Sequence, residues 1–179
     1  MSKLQNFVFF ASNDGGHFSE LIALHKLFPK YRSVIVTDKA GANKSIPELS
    51  GVEAIEFATA FARKREELAK NAPPKGSEKK LTILDYLGCF PKLFIECYSI
   101  WSKYRPKVVV TTGSNIAVPL CLISKLKGTK FVYIETRAKV YSKTLSGRLV
   151  EKFSDKIIVQ WPEMVSVYNG KAQYLGTLV

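Results

Sequence analysis

The residues of this chain best suited to chemistry fall into three short groups. Asn13-Asp14-Gly15-Gly16-His17 places an imidazole directly behind two glycines. Glycine lets a backbone approach a ligand closely, and the free N–H groups at a helix start attract anions. His17 is therefore a candidate proton acceptor, or a hydrogen-bond partner for a phosphate or a sugar hydroxyl. Thr112-Gly113-Ser114-Asn115 is a second glycine turn with small polar side chains. Glu135 and Arg137 straddle Thr136. They offer a carboxylate for hydroxyls and a guanidinium for an anion, or else a plain surface ion pair. Asp38 stands about 20 residues past the first turn, where a ribose-binding acid would sit in a dinucleotide fold. The glycine spacing G-x-G-x-x-G is missing, however, so Asp38 reads as a turn or cap residue.

The elements that must position these groups follow from hydrophobic pattern. Phe7–Ala11, Ser33–Thr37, Lys107–Thr111, Lys130–Ile134 and Lys156–Val159 are short apolar runs ended by polar or glycine residues, the pattern of buried strands. Val52–Phe57 alternates like a strand with one wet face, and Gln173–Leu175 is a last short strand. Leu21, Leu24, Leu27 and Phe28 predict a helix behind the first glycine turn, with Glu20 in its first turn complementing the dipole. A helix follows from about Ile116 to Lys127, with Ser114 or Asn115 as cap, Pro119 near its start and Gly128 ending it. A further helix is expected around Thr144–Phe153. Strands alternating with helices predict an α/β fold: a Rossmann-like, doubly wound, mostly parallel sheet, with the ligand beyond the C-terminal strand ends. That edge collects Gly15, Gly16, His17, Asp38, Gly113, Ser114, Asn115, Glu135 and Arg137.

Between these parts the composition shifts. Residues 61–80 hold seven cations against three carboxylates and include Pro73-Pro74-Lys75-Gly76-Ser77, which predicts a basic mobile loop. Residues 81–104 are rich in large apolar side chains at helical spacing. One or two helices are expected there, bent or split at Gly88 and Pro91. Core packing accounts for most of them; the other reading is a membrane-proximal surface beside the basic segment.

Bulk numbers set the limits. The 179 residues suit one domain spanning 1–179, and a net charge of +12 points to an anionic partner. Three cysteines without a C-x-x-C pair, and two histidines eight apart, indicate neither a disulfide framework nor a metal site. The apolar run near the N-terminus stops at Asn13, too short for a signal peptide, and no apolar stretch is long enough to span a bilayer. The expectation is a cytoplasmic protein whose membrane contact is peripheral. Charge alone would also allow sequence-blind nucleic-acid binding, but no recognition motif supports it. A stand-alone nucleotide-binding α/β protein is the alternative reading of the fold.

Taken together, Gly15-Gly16-His17, Thr112-Gly113-Ser114-Asn115 with Val118-Pro119, Tyr133-Ile134-Glu135-Thr136-Arg137, and Asp155-Lys156-Ile157-Ile158-Val159-Gln160-Trp161-Pro162 with Tyr174-Leu175-Gly176 resemble the Alg-fourteen family. That family includes capsule and exopolysaccharide proteins of the PssD and CpsF type. The resemblance covers nearly the whole chain and is weakest over residues 40–100. It implies the N-terminal, acceptor-binding half of a glycosyltransferase of the B-type (GT-B) fold, related to MurG. The UDP-sugar would be bound by a separate subunit of the Alg-thirteen, PssE or CpsG type. The acceptor would be a sugar on a polyprenyl pyrophosphate at the cytosolic face of the membrane. Transfer would be inverting and metal-independent, with no cofactor. His17 and Glu135 would orient or deprotonate the acceptor hydroxyl, while Gly15, Gly16, Gly113, Ser114, Asn115 and Arg137 hold its phosphate or sugar. Members usually carry a small residue where this chain has Asn13-Asp14, so Asp14 is expected to point away from a phosphate or to bind a sugar hydroxyl.

Overall fold

A computed structural model describes residues 4–38, 49–70 and 83–178. Seven strands form one sheet: β1 (Leu4–Ala11), β2 (Tyr31–Thr37), β3 (Val52–Phe57), β4 (Val108–Thr111), β5 (Lys130–Ile134), β6 (Lys156–Val159) and β7 (Ala172–Tyr174). The order is β3-β2-β1-β4-β5-β6-β7. Every neighbouring pair is parallel. The sheet grows outward in both directions from β1 and β4, so the crevice beyond their C-terminal ends is the topological switch point, where open α/β sheets bind ligands. The fold is the expected Rossmann-like one.

Period-two alternation in β1 gives the sheet two cores. Phe9 and Ala11 face one side with Val34, Val36 and Val109, packed under Leu93, Cys97, Leu120 and Ile123. Val8 and Phe10 face the other side with Ile35, Phe18, Leu21 and Phe28. Each Val, Leu, Ile or Phe among them contributes about 1.5–3 kcal/mol by leaving water. The helices that supply these contacts are α1 (Gly16–Ile22), α2 (Ala60–Lys70), α3 (Ile83–Tyr104), α4 (Ala117–Lys127), α5 (Leu145–Val150) and α6 (Glu163–Val167). The three cysteines are free and buried. Burial first, then the charge of Asp155, pushes the Cys121 thiol up to about 12, so it stays protonated and inert.

Three expectations about elements need correction, and the choice between one and two helices in the apolar segment is decided. The helix behind the first glycine turn stops at Ile22, and His25–Lys30 is a 3-10 helix. Pro29, with no N–H and a fixed φ, sits in that segment and favours the tighter turn. The basic segment is not a loop in its first half: α2 begins at Ala60, and Glu96 of α3 accepts the Ala60 N–H (3.0 Å) and pairs with Arg63. Residues 71–82 lie outside the described residues. The apolar segment is one helix, and α3 continues through Gly88 and Pro91. Glu20 is not in the first turn of α1; its carboxylate is buried and turned to the loop after β5.

Candidate active site at the strand ends

The loops after β1 and β4 are held together by side chains rather than by helix caps of their own. Asn13 is buried; its Nδ2 donates to Asp38 Oδ2 (3.0 Å), and its Oδ1 accepts the Ile116 N–H (3.3 Å). Asp38 Oδ1 also takes the Asp14 N–H at 3.0 Å. One amide thus joins the ends of β1 and β2 to the start of α4. This assigns Asp38 a bracing role. It also corrects the expected cap: neither Ser114 nor Asn115 caps α4 with its side chain, and Asn13 from another strand takes the free N–H. The two glycine turns then adopt backbone that side chains disfavour. Gly15 has φ +103°, Gly113 has φ +110°, and Ser114, a non-glycine residue, is left-handed at +73°. Such conformations cost about 1–3 kcal/mol for an L side chain and cluster at functional sites.

His17 sits in the first turn of α1 with its side chain 30% exposed. Its Nδ1 lies 2.8 Å from the Thr112 carbonyl oxygen. A carbonyl can only accept, so Nδ1 carries the proton and Nε2 is the ring's acceptor. Thr112 answers with a 2.6 Å bond from Oγ1 to the His17 carbonyl. The imidazole is fixed in rotation and tautomer by the β4 loop. Gly113 is what permits this approach. A Cβ there would lie 3.3 Å from His17 Cε1 and 3.3 Å from Tyr133 Oη. The histidine and the tyrosine flank the space that a side chain would fill.

Glu135 leads a different life from the one the sequence suggests. It is fully buried, at 0% exposure. Its Oε1 accepts the Thr136 N–H (3.0 Å) and faces Tyr133 Oη at 3.2 Å. Oε2 accepts the Thr144 N–H (3.1 Å) and the Tyr168 hydroxyl (2.6 Å). Thr144 Oγ1 is 3.0 Å from Oε1. With its lone pairs taken and no exposure, this carboxylate turns no free acceptor toward the crevice. It organises the pocket wall, and its touch on the site runs through Tyr133. Burial first, then the charge of Glu135, pushes both tyrosine hydroxyls well above the usual phenol range, so they remain donors.

Arg137 is exposed, while its backbone is pinned: its N–H donates to Glu20 Oε1 (2.8 Å), and its carbonyl accepts Trp161 Nε1–H (2.7 Å). Gln160 Nε2 donates to the Glu135 carbonyl (3.0 Å), and its Oε1 accepts the Leu178 N–H (3.0 Å). The Gln-Trp pair therefore braces the segment 135–137 from β6. Gly15, Gly16, His17, Gly113, Ser114 and Asn115 all gather at the β1–β4 crevice, with Gly15 and Gly16 exposed and Gly113 buried. Sequence reading quoted Thr112 and Tyr133 within motifs without giving either a role, and it missed Tyr168, Thr144 and the buried contacts of Glu20 as parts of the site. The arrangement offers one fixed imidazole with an acceptor nitrogen and an open, glycine-lined approach, features that suit proton transfer beside an anionic or hydroxylated ligand. Among the described residues no group of three potential ligands could hold a metal ion.

Comparison with known proteins bears on the family and the fold. The family described as "Oligosaccharide biosynthesis protein Alg14 like" matches residues 6–178. The UDP-N-acetylglucosamine transferase subunit ALG14 of Rattus norvegicus is 26% identical over 188 residues, covering 94% of this chain and 81% of the relative. The subunit alg14 of Schizosaccharomyces pombe is 37% identical over 82 residues, covering 42% of this chain and 39% of that relative. Among solved structures, MurG of Acinetobacter baumannii superposes with a TM-score of 0.63 at 13% identity, covering 88% of this chain. The match spans 42% of the MurG chain, less than half its length, and the likeness is one of fold.

Proposed function

The chain belongs to the Alg14-like family of oligosaccharide biosynthesis proteins, and from that membership we propose that it is the acceptor-side subunit of a two-component glycosyltransferase. Residues 1–179 act as one acceptor-binding domain, and a separate glycosyltransferase subunit holds the UDP-sugar. Relatives named as UDP-N-acetylglucosamine transferase subunits support both the split and a UDP-sugar donor. The acceptor is a sugar on a polyprenyl pyrophosphate, extended for capsule or exopolysaccharide; that last context rests on the motif resemblance alone. The single observation that carries the reading is the family match over residues 6–178; the structural support for its chemistry is His17, locked by Thr112 with Nε2 as its acceptor, at the switch point of the sheet.

The chemistry follows from that geometry. The acceptor oxygen bonds to the anomeric carbon, and its proton passes to His17 Nε2. The bond from that carbon to the donor's phosphate oxygen breaks, both electrons leaving with the nucleoside diphosphate. Gly15, Gly16, Gly113, Ser114 and Asn115 shape the acceptor's seat, Arg137 offers a cation to its phosphate, and Glu135 holds the wall through Tyr133. No described helix is long and apolar enough to cross a membrane. Membrane contact is assigned to the outer face of α3 and α4. Tyr98 and Leu126 (76% exposed) line a groove of about 320 Å³ there, Ile95 (67% exposed) stands three residues before Tyr98 on α3, and Lys127 lies over the rings of Tyr98 and Trp101.

The test is sugar transfer from a panel of UDP-sugars to a polyprenyl-pyrophosphate-linked acceptor, with this chain alone and with its candidate partner. Activity only with both supports the proposal and identifies the donor. Activity with this chain alone means that it holds its own donor site, and the subunit reading is wrong.

A further inference from the structure

Glu20 is the group that bracing alone does not explain. It is 6% exposed. Its Oε1 accepts from Thr136 Oγ1 (2.9 Å) and from the Arg137 N–H (2.8 Å), tying α1 to the loop after β5. Its other oxygen, Oε2, is buried with no hydrogen-bond partner among the described residues. A buried carboxylate oxygen without a donor is costly, and a neutral glutamine would brace the loop through one oxygen equally well. That oxygen faces one particular ring: Oε2 lies 4.0 Å from His17 Nδ1, one turn earlier on the same helix.

We propose that Glu20 is a positioning residue for His17, a buried counter-charge that acts when the imidazole takes up the acceptor's proton; this rests on the base role assigned to His17 above. In the resting state Nδ1–H points to the Thr112 carbonyl and Oε2 waits unpaired. Once Nε2 holds the transferred proton, the ring is a cation, and the fixed carboxylate stabilises it without reorganisation. Glu20 touches neither substrate nor donor. Its effect is confined to the step in which charge appears on His17, and so to kcat rather than KM. Through Oε1 the same side chain also fixes the Arg137 backbone, so base and anion-holding loop share one anchor.

The test is Glu20→Gln in the full chain assayed with its partner subunit. The amide keeps an acceptor for Thr136 and Arg137 and puts a neutral NH2 group in place of the Oε2 that faces His17. The expected result is a fall in kcat on the order of 10- to 100-fold, with the acceptor KM within about threefold. In a His17→Asn background the same change should cost nothing further, because the group that Glu20 serves is gone. An unchanged kcat, a loss carried by KM alone, or an equal loss in the His17→Asn background overturns the proposal. If Glu20→Gln also lowers the unfolding midpoint, the cycle still decides, since both losses are read within equally braced proteins. A wild-type pair that transfers no sugar overturns the base role first and this inference with it. An active wild type with an indifferent Glu20→Gln overturns this inference alone.

Discussion

At the scale of single residues, the division of labour between His17 and Glu135 is set by burial. Both are polar, both end a strand or open a helix, and the sequence treats them alike. The fold leaves His17 partly open with an acceptor nitrogen and seals Glu135 among five donors. The consequences of mutation should separate accordingly. His17→Asn should keep the fold, because an amide nitrogen can still reach the Thr112 carbonyl. It should lower kcat of the subunit pair by about 10²–10⁴-fold, the usual share of a general base. Normal kcat in that variant would remove the base assignment. Glu135→Gln should instead be read in urea. The amide turns a donor toward groups that already donate, and the stability loss should be about 2–4 kcal/mol. A variant as stable as wild type would mean that the hub is unimportant for folding. The glycine-histidine turn and the Glu-x-Arg pair were legible because residue type and strand-end position coincide. Thr112 and Thr144 were not, because a threonine's partner is chosen by tertiary approach and leaves no trace in spacing.

At the scale of elements, the site is built by short pieces that cannot stand alone. Helix α5 has only six residues, far below what is stable in isolation. It is held by its N-cap: Thr144 Oγ1 accepts the Gly147 N–H at 3.0 Å while the same threonine bonds Glu135. Gly147 must be glycine for a packing reason and not for its backbone. A Cβ there would run into Tyr168 Oη and lie 2.5 Å from Glu135 Oε2. Gly147→Ala should therefore break the Tyr168–Glu135 bond and lower stability by about 1–3 kcal/mol. The near-ultraviolet tyrosine signal should change even where helix content does not. An alanine variant with wild-type stability and an intact tyrosine signal would show that the hub tolerates a methyl group. Strands, by contrast, were readable to within a few residues, since β1, β2, β4, β5 and β6 are short apolar runs ended by polar or glycine residues, the pattern of a parallel sheet. The extent of α2 was not readable. What fixes its start is Glu96, more than thirty residues away on α3.

At the scale of the whole molecule, charge and exposed apolar surface decide where the site can work. A net charge of +12 is sequence-legible; which face meets an anionic surface is not. The α3–α4 face combines Ile95, Tyr98 and Leu126 with Lys127, whereas α2 and α3 offer Arg63, Lys64 and Lys92 around a second, more polar cleft. Arg63 and Lys64 are already engaged by Glu96 and Glu67, so that cleft attracts an anionic surface less than its cation content suggests. The apolar face has no such offset. Each basic residue near anionic lipid adds about 1 kcal/mol, and each apolar side chain that enters the interface adds about as much again. Replacing Leu126 with Glu removes the second contribution and reverses the sign of the first at one point on the face. Binding to vesicles of phosphatidylglycerol and phosphatidylcholine should fall by about tenfold, while Lys64→Glu on the other cleft should lower it by less than threefold. Raising the salt should weaken wild-type binding without abolishing it, because the apolar contribution is not screened. Equal losses from both substitutions, or complete release by salt, would mean that net charge alone holds the protein to lipid and that the α3–α4 face has no part in it.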